Sequence, residues 1–554
     1  MASRRSPLGA PISLSALVAL LCGPLLACSS AGDHSDVASS SSASVGDAGG
    51  DDSTGAVSSD SNSGDSSPAT GASNDDSGAG TSGGTGGDPT SPPDLPPVEP
   101  VPEDIIDSDK QGPEGCDLVT PVSVTLRTVD ASATVSPTQA RDAALSDWVS
   151  LTGIRIRPWE FFNYYSFGYP AAELGSVVIT PQLRAAPGLG GDPEFILQIG
   201  VSTHSLPAEQ RPPVRLTLAL DNSNSMAGKA QDLLRATAKA IAGELRQGDV
   251  LSIVTWNAKN STILELHDVS GPDDPVIIDK LDQLTVGGSA ELYSGLMTAY
   301  KLADAAYEPG AWNRVVLVSD GGATANDTDL AVIRDHAQKP GIYLSGVGVG
   351  DAGIYHSDMM DAVAHAGRGA SIFVGSEAEA SKRLGEQFVR TLGAAVRELH
   401  VHVDLPGGFE VIRDPSQEGL INPDISSDGV RLGPNSSLVL HRRLRSCDPA
   451  AGKDGKLLVE VNYVDEATGE LRSAKATAPL PELLAEAPVS QSSLFKGIAV
   501  QTYAAALEHW QARPPDLAEI LADAAAQLKS ALELLPNDAE LAEMAQIVEI
   551  LSND

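Results

Sequence analysis

The segment Asp221-Asn222-Ser223-Asn224-Ser225 sets one carboxylate and two hydroxyls at alternate positions. Oxygens of this kind can converge on a hard divalent cation, which takes about six oxygen ligands. A second acidic element, Val318-Ser319-Asp320-Gly321, follows later in the chain. Each element comes directly after an apolar run. Asp and Ser also cap helices, and a helical pattern opens at Ala227, so an N-cap is the competing reading of the first segment. Beyond the low-complexity amino-terminal stretch the chain contains no Gly-x-Ser-x-Gly elbow, no His-Glu-x-x-His helix and no nucleophilic cysteine constellation. Those features carry hydrolytic and zinc-dependent chemistry, so a binding role is expected rather than an enzymatic one.

The elements that must position these residues lie between Arg215 and Gly393. Six short apolar runs recur there: Leu216–Leu220, Val250–Val254, Thr262–Leu266, Val315–Val318, Ile342–Val347 and Ser371–Val374. Most are nearly continuous in apolar residues, as strands buried on both faces are. Segments with helical spacing stand between or after them, at Ala227 to Arg246, Ala290 to Ala306, Thr328 to Gln338 and Ala378 to Leu392. This alternation predicts an α/β fold with a doubly wound, mainly parallel sheet, whose ligands would sit at the carboxyl ends of the strands. No Gly-rich phosphate loop follows the first strand, which argues against a nucleotide site.

The Asp-x-Ser-x-Ser pattern at Asp221 and the Ser-Asp-Gly element at Ser319, each at a strand end, resemble the von Willebrand factor type A family. The resemblance implies a metal-ion-dependent adhesion site, with Asp221, Ser223 and Ser225 as direct ligands and Asp320 acting through water. The implied cofactor is Mg2+, or Mn2+ or Ca2+, with one coordination position open to a carboxylate of a partner. Two positions depart from the family pattern. Asn224 stands where a Gly is usual, and Ala290 stands where a Gly-Gly-x-Thr loop places its Thr ligand. A methyl group cannot coordinate, so Ser289 or Glu291 would have to substitute, or the site is weakened.

The resemblance extends outside this region. Pro158-Trp159-Glu160-Phe161-Phe162-Asn163-Tyr164-Tyr165-Ser166-Phe167-Gly168-Tyr169-Pro170 looks like an aromatic motif in the amino-terminal extension of a bacterial subfamily. Its aromatics are expected to form a core that docks the extension, the alternative being an exposed binding patch. Alternation at Leu399-His400-Val401-His402-Val403-Asp404 and the run Leu457–Val461 predict a small antiparallel β domain. His400 and His402 are read as structural. From Ser493 to Leu551 three segments have helical spacing and read as a small bundle.

At 554 residues the chain must hold several domains. Its formal net charge of -37 excludes a phosphate-neutralising role and hence nucleic acid. Arg4 and Arg5 precede an apolar stretch, Ile12 to Leu26, that is too short to span a bilayer. It ends in Leu26-Ala27-Cys28-Ser29, which resembles a bacterial lipobox and implies lipidation of Cys28. From Ser29 to Asp109 there is no Lys, Arg, Phe, Trp or Tyr. Such a segment cannot offset its ordering entropy and reads as an acidic tether spanning roughly 50 Å or more. Cys116 and Cys447 remain as an even pair flanking the central domain, and a disulfide is expected.

The expected organisation is therefore a signal peptide at 1–28, a tether at 29–110, an extension at 111–212 and the von Willebrand factor type A domain at 213–395. A small β domain at 396–485 and a helical region at 490–554 complete it. The expected function is that of an envelope protein, lipid-anchored and by its Ser29 sorted to the outer membrane, that binds a protein partner through an acidic side chain. The alternative is a structural or assembly scaffold with a degenerate metal site. The anchor is tested by fractionation: the native protein should sediment with membranes, and Cys28→Ala should become soluble or stay unprocessed. Equal partitioning at the same mature mass would refute lipidation.

Overall fold

The computed structural model describes residues 116–553 apart from 127, 129–130, 147–148, 187–191, 340 and 413–428. The signal sequence, Cys28 and the tether at 29–110 lie outside the described residues. Before the central domain come β1 (Val122–Leu126), helices α1 (Val135–Ala144) and α2 (Pro158–Tyr164), β2 (Val178–Ala186) and β3 (Glu194–Ser202).

The central sheet consists of β4 (Val214–Asp221), β5 (Val250–Trp256), β6 (Ser261–Asp268), β7 (Trp312–Ser319), β8 (Tyr343–Val349) and β9 (Arg368–Val374). Their order is β6-β5-β4-β7-β8-β9, with every neighbouring pair parallel except β5–β6. The expected doubly wound α/β fold is thus found. Strand alternation sends successive residues to opposite faces. Leu216, Leu218, Leu220, Val316 and Val318 bury against α3 (Lys229–Gly243) and α4 (Pro275–Asp282). Ala219, Val315 and Leu317 face α5 (Leu292–Ala306), α6 (Asp327–Gln338) and α7 (Asp358–Ala366). The exception is β6, which is largely solvent-exposed. Its short link to β5 permits only an antiparallel return, which leaves β6 at the sheet edge. The domain closes with α8 (Glu377–Ala380), a π-helical turn at Ser381–Glu386 and α9 (Phe388–Leu392).

Next come β10 (Val396–Leu405), β11 (Phe409–Ile412), β12 (Val430–Leu432), β13 (Ser437–Ser446), β14 (Lys456–Asp465) and β15 (Leu471–Pro479). These strands do not form a β domain by themselves. One sheet runs β1-β10-β14-β15 with β12 beside β10, and the other runs β11-β13-β3-β2. The two pack face to face, with Leu197, Ile199, Val201 and Leu440 opposite Val401, Val403, Val459 and Val461 in one cluster. The β domain drawn over 396–485 therefore enlarges to a sandwich that takes three strands from the extension. Cys116 and Cys447 are disulfide-bonded beside it, with Cα atoms 5.8 Å apart. His402 shares a 2.9 Å hydrogen bond with Thr125 of β1.

The chain ends in α10 (Leu480–Ala485), α11 (Ser492–Ala512), α12 (Leu517–Leu534) and α13 (Ala539–Asn553). Among the described residues no helix is long and apolar enough to cross a membrane. The aromatic segment is a core. Phe161 meets Tyr503 of α11 edge to face at 5.8 Å, and Phe162 stacks on Phe167 at 5.7 Å and on His441 of β13 at 5.3 Å. One apolar cluster thereby runs from the central sheet through α1 and α2 into the terminal helices. Lys496 is 2% exposed, and its ammonium lies 2.6 Å from Asp538 and 2.7 Å from Glu540, which satisfies the buried charge.

His441 supplies a pH test of this packing. Burial, and then the charge of Arg442, pushes its pKa down to about 3. The unfolded chain binds this proton near pH 6.5, whereas the native chain refuses it until about 3, so stability must fall as pH drops below about 6.5. Denaturant melts between pH 7 and pH 4 should show that slope, and His441→Asn should flatten it.

Candidate metal centre

Asp221 is the last residue of β4 and Ser319 the last of β7, and the two strands run side by side in parallel. Strand order reverses at β4, so both residues open onto the crevice at the topological switch point. The Asp221 side chain is 2% exposed. Its Oδ2 accepts the Ser319 hydroxyl at 2.7 Å, and its Oδ1 accepts the Ser223 N–H at 2.9 Å. Burial raises its pKa, while the Ser319 and Ser223 hydrogen bonds oppose the rise. A cation bound beside it would favour its charged form.

The hydroxyls of Ser223 and Ser225 lie 3.1 Å apart. They are not used as caps: α3 starts at Lys229, after Gly228, with no side-chain cap hydrogen bond. The short turn Asn224–Met226 has none either. The N-cap reading of the motif therefore fails, and the oxygens stay available. Asp320 follows β7, with its N–H 3.2 Å from the Met226 sulfur and its Oδ1 accepting Gly322 N–H at 2.9 Å. A methyl group on Gly322 would stand 3.0 Å from Asp320 Oδ1 and 3.6 Å from Ser225 Oγ, so both oxygens border one small space. Gly321 is required by its φ of +80°, and a side chain there would strike His356 O at 2.5 Å.

The third loop is in place. Gly287 N–H donates to Asn222 O at 2.8 Å, and Asn224 N–H donates to Gly288 O at 2.9 Å. Asn257 holds Gly287 O from the other side at 2.5 Å. Where the family pattern has a Thr hydroxyl, the Ala290 methyl instead packs on the apolar cluster containing Trp256 and Leu296. Ser289 and Glu291 are exposed on either side of it. Among the described residues no hydrogen bond joins either one to Asp221, Ser223 or Ser225. Among the described residues no group of three or more His, Cys, Asp or Glu could hold a metal ion, so any cation here would rest on hydroxyl oxygens as much as on carboxylates. The residues fit a hard cation: Asp221, Ser223 and Ser225 would hold it directly, and Asp320 from farther out. Sequence reasoning assigned no role to Ser319, whose hydroxyl orients Asp221. Its signal was its place at the end of a strand adjacent to β4.

A doubly wound sheet with an Asp-x-Ser-x-Ser turn and a Ser-Asp-Gly turn at its switch point defines a von Willebrand factor type A domain. The family model of that domain matches residues 216–384. Two uncharacterized bacterial proteins are similar in sequence. YfbK of Escherichia coli is 26% identical over 259 residues, covering 45% of this chain and 44% of that protein. The Synechocystis protein sll0103 is 22% identical over 300 residues, covering 51% of this chain and 69% of that one. The chain thus spans less than half the length of the Escherichia coli relative.

Among solved structures, a von Willebrand factor type A protein from Catenulispora acidiphila is 14% identical with a TM-score of 0.42, covering 67% of this chain and 89% of that one. The ArnB paralog VWA2 from Sulfolobus acidocaldarius is 13% identical with a TM-score of 0.36, covering 68% and 98%. Proximal thread matrix protein 1 of the mussel byssus, solved with zinc in this motif, is 16% identical with a TM-score of 0.25, covering 31% and 44%.

Because the loop is docked and only its hydroxyl is missing, Ala290→Thr should tighten Mg2+ or Mn2+ binding by about tenfold, or about 1.4 kcal/mol. Asp221→Asn should abolish binding, and the exposed Glu291 should be replaceable by Ala without effect. Calorimetric titration decides this. No binding in either wild type or Ala290→Thr would make the site vestigial.

Proposed function

We propose that the chain is a lipid-anchored envelope protein, not an enzyme, whose von Willebrand factor type A domain grips a protein partner through a cation at Asp221, Ser223, Ser225 and Asp320. The observation that carries this reading is the pair of hydroxyls, Ser223 and Ser225, set side by side beside a buried carboxylate and spent on no helix cap. A bound cation would supply positive charge at the strand ends and an open position for a partner's acidic side chain. The protein's own groups do the rest. Ser319 and the Ser223 N–H fix the Asp221 carboxylate, and the Gly287–Gly288 backbone clamps the turn that carries the serines.

The surroundings suit a protein partner. Tyr293 and Met297 lie on the first turns of α5, directly after the Ala290 loop, and both are exposed. Ile354, 73% exposed, sits in the loop whose His356 carbonyl abuts Gly321. Apolar side chains beside a charged centre are the composition expected of an interaction surface. The anchor follows from the lipobox at Cys28, outer-membrane sorting from Ser29, and reach from the acidic tether. The aromatic helix and terminal helices are the parts that the bacterial subfamily would share.

The Ala290 methyl favours a second reading, a structural or assembly scaffold whose metal site has degenerated. Metal dependence separates the two. Immobilised full chain should retain a partner from envelope extracts in Mg2+, release it with chelator, and lose it in Asp221→Asn. Retention that ignores both chelator and substitution would establish the scaffold instead.

A further inference from the structure

In a chain of net charge -37, arginines gather around one small cavity at the junction of three segments. Arg383 and Arg390 come from the end of the von Willebrand factor type A domain, and Arg431 comes from β12 of the sandwich. With Thr134, Thr391 and Ser436 they border a space of about 40 Å³. No carboxylate is among the described residues that line it.

The guanidiniums are incompletely satisfied. Arg383 is 4% exposed. It donates to Gln387 Oε1 at 2.7 Å and to Thr134 Oγ1 at 3.0 Å, while its Nε is buried with no partner. Arg431 stacks 3.9 Å over the Tyr343 ring, and its Nη1 is likewise buried with no partner. Arg390 donates to Asn163 O at 2.8 Å. A buried donor without an acceptor is costly, and an uncompensated buried charge more so. Burial, and then the charge of Arg383, holds the Arg390 guanidinium down at about 10, so these cations repel one another.

Glu379 and Glu540 act on Arg383 and Arg390 from outside the cavity, and what the lining itself lacks is an acceptor with negative charge. We propose that this cavity binds a tetrahedral oxyanion of the phosphate or sulfate class, held by Arg383, Arg390 and Arg431. The planar guanidinium fork matches such an oxyanion, and the Thr134 hydroxyl, which accepts from Arg383, keeps its own proton to donate. A water needs roughly 10–15 Å³ of such space, so the cavity has room for several atoms, though not for a larger organic group. The bound anion ties the carboxyl-terminal end of the von Willebrand factor type A domain to the sandwich and to the segment leading into α1. This site is separate from the cation centre and does not depend on it.

The test compares thermal unfolding of the full chain, dialysed free of divalent cations, in chloride and in phosphate or sulfate of equal ionic strength. Phosphate and sulfate should raise the midpoint, and calorimetric titration with inorganic phosphate should give one site. An anion retained through dialysis shows instead as added mass in native mass spectrometry. Arg431→Met should weaken phosphate binding at least tenfold and cut the rise to the smaller general effect that these salts have on folded proteins. In chloride alone it should be no less stable than wild type, because its repulsion of Arg314 is gone. Equal destabilisation of Arg431→Met in both buffers would mean a purely structural stack on Tyr343 and would overturn the site. So would a wild type with neither a rise nor a bound mass. Arg390→Met serves as the second variant if Arg431→Met does not fold.

Discussion

Everything else in the molecule depends on the pairing of β3 with β13. Nine residues of each strand are in register, from Glu194 opposite Arg445 to Ser202 opposite Ser437. The whole central domain lies between those two strands in sequence. Their antiparallel contact closes a very long loop, and the entropy of closing it grows only slowly with its length. What the closed loop needs is a set of well-packed interactions at its base. Leu197, Ile199 and Val201 on one face of β3 supply them against the opposite sheet. On the other face, Gln198 accepts a hydrogen bond from His441 at 2.8 Å, and its amide donates to Ser493 O of α11 at 2.8 Å. The sheet is thus covered on both sides, and both ends of the central domain are held.

The same constraint governs the candidate centre. Fixing the ends of the domain leaves its carboxyl-terminal strand edge free, and there the Asp221, Ser223, Ser225 and Asp320 oxygens gather. Their positions follow from the backbone. Adjacent parallel strands set Asp221 and Ser319 within hydrogen-bonding reach, and the Gly287–Gly288 loop is attached through backbone atoms alone. A side chain in that loop can therefore change without altering its path: with Ala at 290 the loop stays docked and the methyl packs on the apolar cluster.

Much of this was legible in the sequence. Continuous apolar runs revealed the parallel strands, because burial on both faces leaves no room for polar alternation. The motifs at Asp221 and Asp320 placed oxygen-bearing residues at strand ends, where Asp221, Ser223, Ser225 and Ser319 come together. The sandwich was not legible as a unit. Strand propensity is local, whereas the pairing of β1 with β10 and of β3 with β13 joins residues hundreds of positions apart. The run at β6 was legible as a strand, but not its exposed edge position or its direction, which only the short connection from β5 sets. Ser319 was quoted as part of a motif without a role, since a serine at a strand end has no distinctive spacing. The arginine cavity left no linear signal, because its residues come from separate segments.

The arrangement also separates two kinds of electrostatic demand along one sheet. At the carboxyl ends of the strands gather the carboxylates and hydroxyls of Asp221, Ser223, Ser225 and Asp320. Near the amino ends, Arg314 of β7 and Arg431 of β12 lie against the ring of Tyr343, which opens β8, at 4.8 Å and 3.9 Å. Burial, and then Arg431, lowers the Arg314 pKa to about 9. A strand of eight residues such as β7 spans about 25 Å, well beyond the screening length of physiological salt. Distance, more than salt, therefore limits the direct effect of one end on the other, because buried charges such as Arg314 are screened little. The cation centre proposed at one end and the arginines at the other can thus vary with little mutual constraint.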